Sequence, residues 1–255
     1  MWNKEQLEER INQTVEWLRE KVQGAKSKGL VVGISGGVDS AVVAGLCKRA
    51  FPDNSVGVIL PAASSSADVE DAHLVARTLS IKTLEVDLTE AHQMIISKVY
   101  EGMKGKSLPF EEKLTQGNLK ARIRMATLYT VANSLNYLVV GTDNVSEYYT
   151  GYFTKYGDGG VDLLPISSLT KAEVKAWAAH MGLPDSIVNR VPSAGLWEGQ
   201  TDEEEMGITY DMIDRYLIGE KIPEDVAAKI EAMHKASEHK RQLPPTLELP
   251  KLPKL

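Results

Sequence analysis

Six residues near the start of the chain, Ser35, Gly36, Gly37, Val38, Asp39 and Ser40, gather two hydroxyls, two glycines and a carboxylate. They directly follow the apolar run Leu30, Val31, Val32, Gly33, Ile34. A buried strand that meets paired glycines and then a helix makes a tight turn whose free backbone N–H groups point into the space beyond the strand end. Gly36 and Gly37 can take positive φ and let an anion approach the main chain, and a helix starting near Asp39 adds the positive end of its dipole. Ser35 and Ser40 add hydroxyl donors. Asp39 is the odd member, because a carboxylate facing a phosphate repels it unless a divalent cation stands between them. The stretch from Gly33 to Ser40 therefore reads as a pyrophosphate cradle with a magnesium ligand built in.

Two other chemistries fit parts of the same stretch. A Walker A loop needs a Lys before its final Ser or Thr, and Val38 and Asp39 fill those places. Gly33, Ile34, Ser35, Gly36, Gly37 also satisfies the nucleophile elbow of α/β-hydrolases, with Ser35 as nucleophile and His234 or His239 as a later base. Such an elbow normally follows several strands, whereas this loop follows what reads as the first.

The elements that must position these groups are legible from periodicity. Apolar runs at 30–34, 56–60, 81–86, 137–140 and 162–165 read as strands, and they alternate with helical patterns at 4–23, 39–50, 67–79, 90–100 and 119–135. Alternation of this kind predicts an α/β fold: an open, mostly parallel five-stranded sheet with helices on both faces. Residues 101–117 read as a surface excursion. The helix from Leu119 to Leu135 is apolar on more than one side, as expected of a buried helix or one shared between two subunits of a homodimer. Arg122 and Arg124 interrupt it and require partners. Tyrosines at 148, 149, 152 and 156 lie among glycines at 151, 157, 159 and 160, a pattern that fits a ligand-facing loop. Thr170 and Glu173 form a capping box for a helix ending at His180. Lys171, in the first turn of that helix, is a cation opposing the dipole, a placement that favours a phosphate nearby.

Composition narrows the function classes. With 255 residues, 43% hydrophobic and 25% charged, the chain reads as one domain over 1–255. A net charge of −6 argues against a broad basic face for nucleic acid. No apolar run has the length of a membrane span and the start lacks a signal-peptide layout, so a cytoplasmic chain without membrane partners is expected. Cys47 is the sole cysteine. It excludes an internal disulfide and reads as a buried helix residue, so no glutaminase domain built on a nucleophilic Cys is expected.

Three further passages carry a resemblance. They are Gly117 to Met125; Gly141, Thr142, Asp143 continuing through Glu147 to the run Thr154, Lys155, Tyr156, Gly157, Asp158, Gly159, Gly160, Val161, Asp162; and Glu238, His239, Lys240, Arg241, Gln242. With the glycine loop, and in this order, they resemble the ammonia-dependent NAD synthetases of the N-type ATP pyrophosphatase superfamily over essentially the whole chain. The resemblance implies a Rossmann-like fold. It also implies a reaction in which ATP adenylates the carboxylate of nicotinic acid adenine dinucleotide (deamido-NAD), pyrophosphate leaves, and ammonia displaces AMP. By the same resemblance Asp39 and Glu147 are Mg2+ ligands, and Thr142, Lys171 and Ser193 join the residues from Gly33 to Ser40 in binding ATP. Arg122, Lys155, Asp162, His239 and Lys240 fall on dinucleotide-binding positions. Asp39 and Lys171 then serve catalysis, and Asp162, after the glycine-rich passage, is the expected proton acceptor for ammonium. Gly195, Leu196 and Trp197 stand where that family generally carries an acidic or polar run.

Overall fold

The computed structural model describes residues 3–106, 111–197 and 199–247. In chain order the elements are α1 (Lys4–Gly24), β1 (Gly29–Gly33), α2 (Val38–Ala50), β2 (Ser55–Ile59), α3 (Ser66–Leu79), β3 (Lys82–Glu85), α4 (Thr89–Met103), α5 (Glu112–Leu135) and β4 (Tyr137–Val140). Seven further helices follow among the described residues, not all of them expected from the sequence: α6 (Val145–Thr150), α7 (Lys171–His180), α8 (Asp185–Val188), α9 (Asp202–Met206), α10 (Tyr210–Leu217), α11 (Glu224–Ala236) and α12 (Glu238–Arg241).

Every strand pairing among the described residues is parallel, and the order is β3, β2, β1, β4. Central β1 alternates between two cores, as a strand covered on both faces must. Leu30 and Val32 pack with α1, α2 and α7 residues such as Leu18, Val43 and Trp177, while Val31 joins Val58, Val139 and Ala132 of α5 on the opposite face. A smaller cluster around Ile213 and Ile230 joins α10 to α11. Cys47 is fully buried in α2, where burial pushes its thiol well up.

The expected fifth strand does not form. Residues 162–165 contribute one isolated bridge, Val140 to Leu163. The cause is local: the Asp162 carboxylate accepts from the Val139 N–H at 2.8 Å, using the edge donor that a ladder would need, and Pro165 has no N–H with which to continue.

Two other expectations are corrected. The excursion at 101–117 is largely helical, since α4 runs to Met103 and α5 starts at Glu112; residues 107–110 of that segment lie outside the described residues. Gly117 sits inside α5 despite its poor propensity because a Cβ there would lie 3.1 Å from the Trp197 ring and 3.3 Å from the Leu196 side chain. The passage 144–161 is not all loop: Asn144 and Glu147 make a capping box for α6, and Gly151 ends it at φ 71°. The capping box of Thr170 and Glu173 on α7 forms as the sequence indicates.

Gly29 opens β1 under close confinement, for a Cβ there would lie 2.0 Å from the Asn54 carbonyl oxygen. Gly29→Ala should therefore cost about 1–3 kcal/mol of stability by overpacking, read as a lower urea midpoint.

Candidate active site

The loop after β1 opens on the C-terminal edge of the sheet, where open parallel sheets place ligands. Gly36 takes φ 83°, and a Cβ there would lie 2.8 Å from the Asp71 side chain and 3.0 Å from Arg190. Both serine hydroxyls brace the turn. The Ser35 N–H donates to Ser40 Oγ at 3.2 Å, Ser40 Oγ donates to the Gly37 carbonyl at 3.0 Å, and the Gly37 N–H donates to Ser35 Oγ at 3.2 Å. No side chain caps the α2 N-terminus, so its first-turn N–H groups stay available to an anion.

This arrangement removes the hydrolase alternative. His234 directs Nδ1 at the Tyr149 carbonyl at 2.8 Å, and His239 directs Nδ1 at the Ala236 carbonyl at 3.3 Å. Neither is placed to serve Ser35.

Beside the loop, three side chains from distant parts of the chain converge. Lys171 Nζ donates to Asp39 Oδ2 at 2.6 Å and to Glu147 Oε1 at 3.0 Å. The Lys171 side chain is 5% exposed, and those of Asp39 and Glu147 are 16% and 13%. Burial opposes the lysine charge, but the two carboxylates outweigh it and hold its pKa above the ordinary value. Burial raises Glu147 to about 7, with Lys171 pulling downward and Asp39 pushing further up. The Tyr210 hydroxyl joins Glu147 to Asp202 with contacts of 2.9 Å each, and Asn144 Nδ2 donates to Asp39 Oδ1 at 2.8 Å. Tyr210, Asp202 and Asn144 escaped the sequence reading. Asn144 carried a usable signal as the N-cap ahead of Glu147, whereas Tyr210 lies in an ordinary helical pattern.

Asp39, Glu147, Lys171 and Asp202 line a cavity of about 370 Å³ together with Thr142, Ser193, Lys240 and the loop residues, a size suited to small molecules. Acidic side chains outnumber basic ones around it: Asp39, Asp68, Asp143, Glu147, Asp158, Asp202 and Glu205 against Arg124, Lys171, Arg190 and Lys240. Asp143 Oδ2 and Asp202 Oδ1 are buried without a hydrogen-bond partner. Burial, then the neighbouring carboxylates of Asp158, Glu147 and Asp39, raise Asp143 well above the carboxylate range. Arg124 finds its partners at the Leu60 carbonyl, 3.1 Å, and Ser64 Oγ, 3.2 Å. Arg190 spans from Asp71, 2.8 Å, and Asp68 to the Gly36 carbonyl. Over one side of the cavity, Lys120 Nζ holds the Leu196 carbonyl at 2.9 Å and Lys113 lies 4.4 Å from the Trp197 ring centre.

The dinucleotide-binding candidates divide. Lys240 lines the cavity and donates to the Gly151 and Phe153 carbonyls at 2.7 Å each. Exposed Arg122 and His239 with half-buried Lys155 form a separate group, in which Arg122 Nη2 reaches the Lys155 carbonyl at 3.4 Å and Lys155 Nζ reaches the His239 carbonyl. Asp162 is not among the cavity-lining residues. Its Oδ1 accepts from Tyr129 Oη at 2.9 Å and its Oδ2 from the Val139 N–H, so both oxygens secure the sheet edge. At the start of α7 the Lys171 side chain turns to two carboxylates, and the Asp214 carboxylate accepts from the N–H groups of Lys171 and Ala172.

An uncapped glycine turn at the carboxyl end of a central parallel strand puts the chain in the class of α/β nucleotide-binding proteins. Within that class it belongs to the NAD synthase family, whose model matches residues 10–244. It is 56% identical over 242 residues to the NH(3)-dependent NAD(+) synthetase of Alkaliphilus oremlandii, covering 94% of this chain and 97% of the relative. It is 44% identical over 266 residues to that of Methanocaldococcus jannaschii, covering 98% and 100%. Among solved structures, NMN synthetase from Francisella tularensis matches with a TM-score of 0.89 at 36% identity, covering 95% of this chain and 99% of the other. The NH3-dependent NAD synthetase from Campylobacter jejuni, in complex with nitrate, gives 0.77 at 29% over 95% and 99%.

Removing one partner from a buried ion group leaves uncompensated charge. Lys171→Met should therefore cost about 3–5 kcal/mol, measured by urea denaturation near neutral pH in a chelator.

Proposed function

We propose that the chain makes NAD by amidating deamido-NAD with ammonia while ATP is cleaved between its α and β phosphates. The observation that carries this reading is the convergence of Asp39, Glu147 and Lys171 beside a phosphate loop with an uncapped helix start. A nicotinate carboxylate oxygen attacks the α-phosphorus, pyrophosphate departs, and ammonia attacks the acyl carbon to expel AMP. Residues Gly33 to Ser40 receive the leaving pyrophosphate through backbone N–H groups. Lys171 offers its ammonium to charge building on the phosphates, and Thr142 and Ser193 line the same space.

A site lined by more carboxylates than cations repels two polyanionic substrates, so the reading includes a divalent cation. Among the described residues no group of three or more His, Cys, Asp or Glu could hold a metal by itself. That suits Mg2+, which takes one or two carboxylates and fills its remaining positions with substrate phosphates and water. Asp39 and Glu147 would hold it, and the lysine ammonium between them marks a place built for a cation. When bound it neutralises phosphate charge and polarises the phosphoryl oxygens.

For the acceptor, Lys240 serves inside the cavity, and Arg122, Lys155 and His239 form the cationic group outside it. Exposed apolar side chains on α4 and α5, including Met94, Val99 and Leu114, suit a homodimer. No helix among the described residues is long and apolar enough to cross a membrane, and use of ATP and deamido-NAD suits a cytoplasmic location.

A second acceptor is favoured by the 0.89 match to an NMN synthetase: nicotinic acid mononucleotide, which lacks the adenylyl half. One assay tests both. With ATP, Mg2+ and ammonium, deamido-NAD should yield NAD and equimolar pyrophosphate with at least tenfold higher kcat/KM than the mononucleotide gives. The reverse preference would replace the acceptor, and the absence of pyrophosphate with both would overturn the reaction. Asp39→Asn should lower kcat at least 100-fold while ammonium KM stays within about threefold.

A further inference from the structure

We propose that Asp214, which does not line the cavity, is a positioning residue that sets the relative placement of Lys171 and Glu147. The inference rests on the reading above that these two side chains serve ATP cleavage. Asp214 projects from α10 and is 8% exposed. Its Oδ1 accepts from Ser146 Oγ at 2.6 Å and from the Lys171 N–H at 3.2 Å, while its Oδ2 accepts from the Ala172 N–H at 2.9 Å.

One carboxylate therefore ties together the start of α7, which carries Lys171, and the first turn of α6, which carries Glu147. The tie is anchored at each end to the residue concerned or its immediate neighbour. At α7 it is the Lys171 backbone itself; at α6 it is fully buried Ser146, directly before Glu147.

The capping of α7 shows why a carboxylate is needed. An α-helix leaves its first N–H groups without intrahelical partners. Thr170 Oγ serves the Glu173 N–H at 3.2 Å, and Asp214 serves the two before it. Those bonds are charge-assisted and aligned with the helix dipole, so they hold α7 against rotation about its axis. An amide in the same place presents N–H where Ala172 or Lys171 also presents N–H.

The face of α10 one turn earlier carries Tyr210, whose hydroxyl holds Glu147 directly. Helix α10 thus grips Glu147 from its side chain and from the helix beneath it. A shift of about 1 Å in groups that orient a reacting phosphate is enough to slow transfer by two orders of magnitude.

The test compares the full chain with Asp214→Asn and Ser146→Ala. Steady-state pyrophosphate release gives kcat and the KM values for ATP and ammonium, calorimetry gives ATP affinity in Mg2+, and thermal melts set an assay temperature at which each protein is folded. Asp214→Asn should lower kcat at least 30-fold and weaken ATP binding several-fold, with ammonium KM within about twofold. Ser146→Ala, which frees only the α6 side and keeps the α7 cap, should lower kcat three- to tenfold. If Asp214→Asn does not fold, that smaller effect decides. The double variant should lose less than the product of the two single effects, because the Ser146 bond acts through the same side chain at position 214.

Folded Asp214→Asn and Ser146→Ala with kcat and ATP affinity within twofold of the parent would overturn the proposal and assign Asp214 to stability alone. A parent chain that releases no pyrophosphate would instead overturn the underlying reading of the site, and this proposal with it.

Discussion

The structure turns on one ammonium between two carboxylates. Lys171 lies 132 residues from Asp39 and 24 from Glu147, and all three side chains are largely withdrawn from water. Taking charges out of water costs several kcal/mol per ion, and their attraction offsets this only with short contacts and satisfied remaining valences. The fold meets that condition from several directions. Asn144 occupies the second oxygen of Asp39, Tyr210 shares Glu147 Oε1, and the Tyr210 ring lies 4.5 Å beneath the ammonium. The central sheet fixes α2, the short α6 and the start of α7 around this point.

That dependence explains the layout of the chain's second half. The sheet and its covering helices supply the phosphate loop from residues 29 to 50. Beyond β4 the chain forms no further ladder strand among the described residues; it builds short helices whose function is to hold polar groups. Helices α6 and α12 bury no apolar side chain of their own and need such anchors. They find them in the capping box at Asn144, in the Ser237 hydroxyl against the Thr150 carbonyl, and in Arg241 reaching the Tyr148 and Tyr149 carbonyls.

Local rules recovered much of this from the sequence. The parallel strands, the glycine turn and the cap at Thr170 each depend on residues a few places apart. Failures came where a distant group intervened. The fifth strand fails because the Asp162 side chain takes the Val139 N–H, and that same engagement takes Asp162 away from the cavity. Nothing near Lys171 in sequence announces that Asp214, 43 residues later, caps the first turn of α7. Tyr210 and Asp202 were invisible for the same reason: their roles come from Glu147, which reaches them only through tertiary packing. Arg124 could be flagged as needing a partner, but its partner, the loop after β2, could not be named.

Cys47 gives the fold an internal chemical clock. The chain's one thiol is fully buried near the C-terminal end of α2, and its surroundings disfavour the thiolate that alkylating agents and oxidants require. In the closed fold it is inert, so oxidants that damage exposed thiols leave this one alone. Any reaction at Cys47 reports an opening that uncovers α2, and because α2 carries Asp39, its labelling rate measures how often the packing around that helix comes apart.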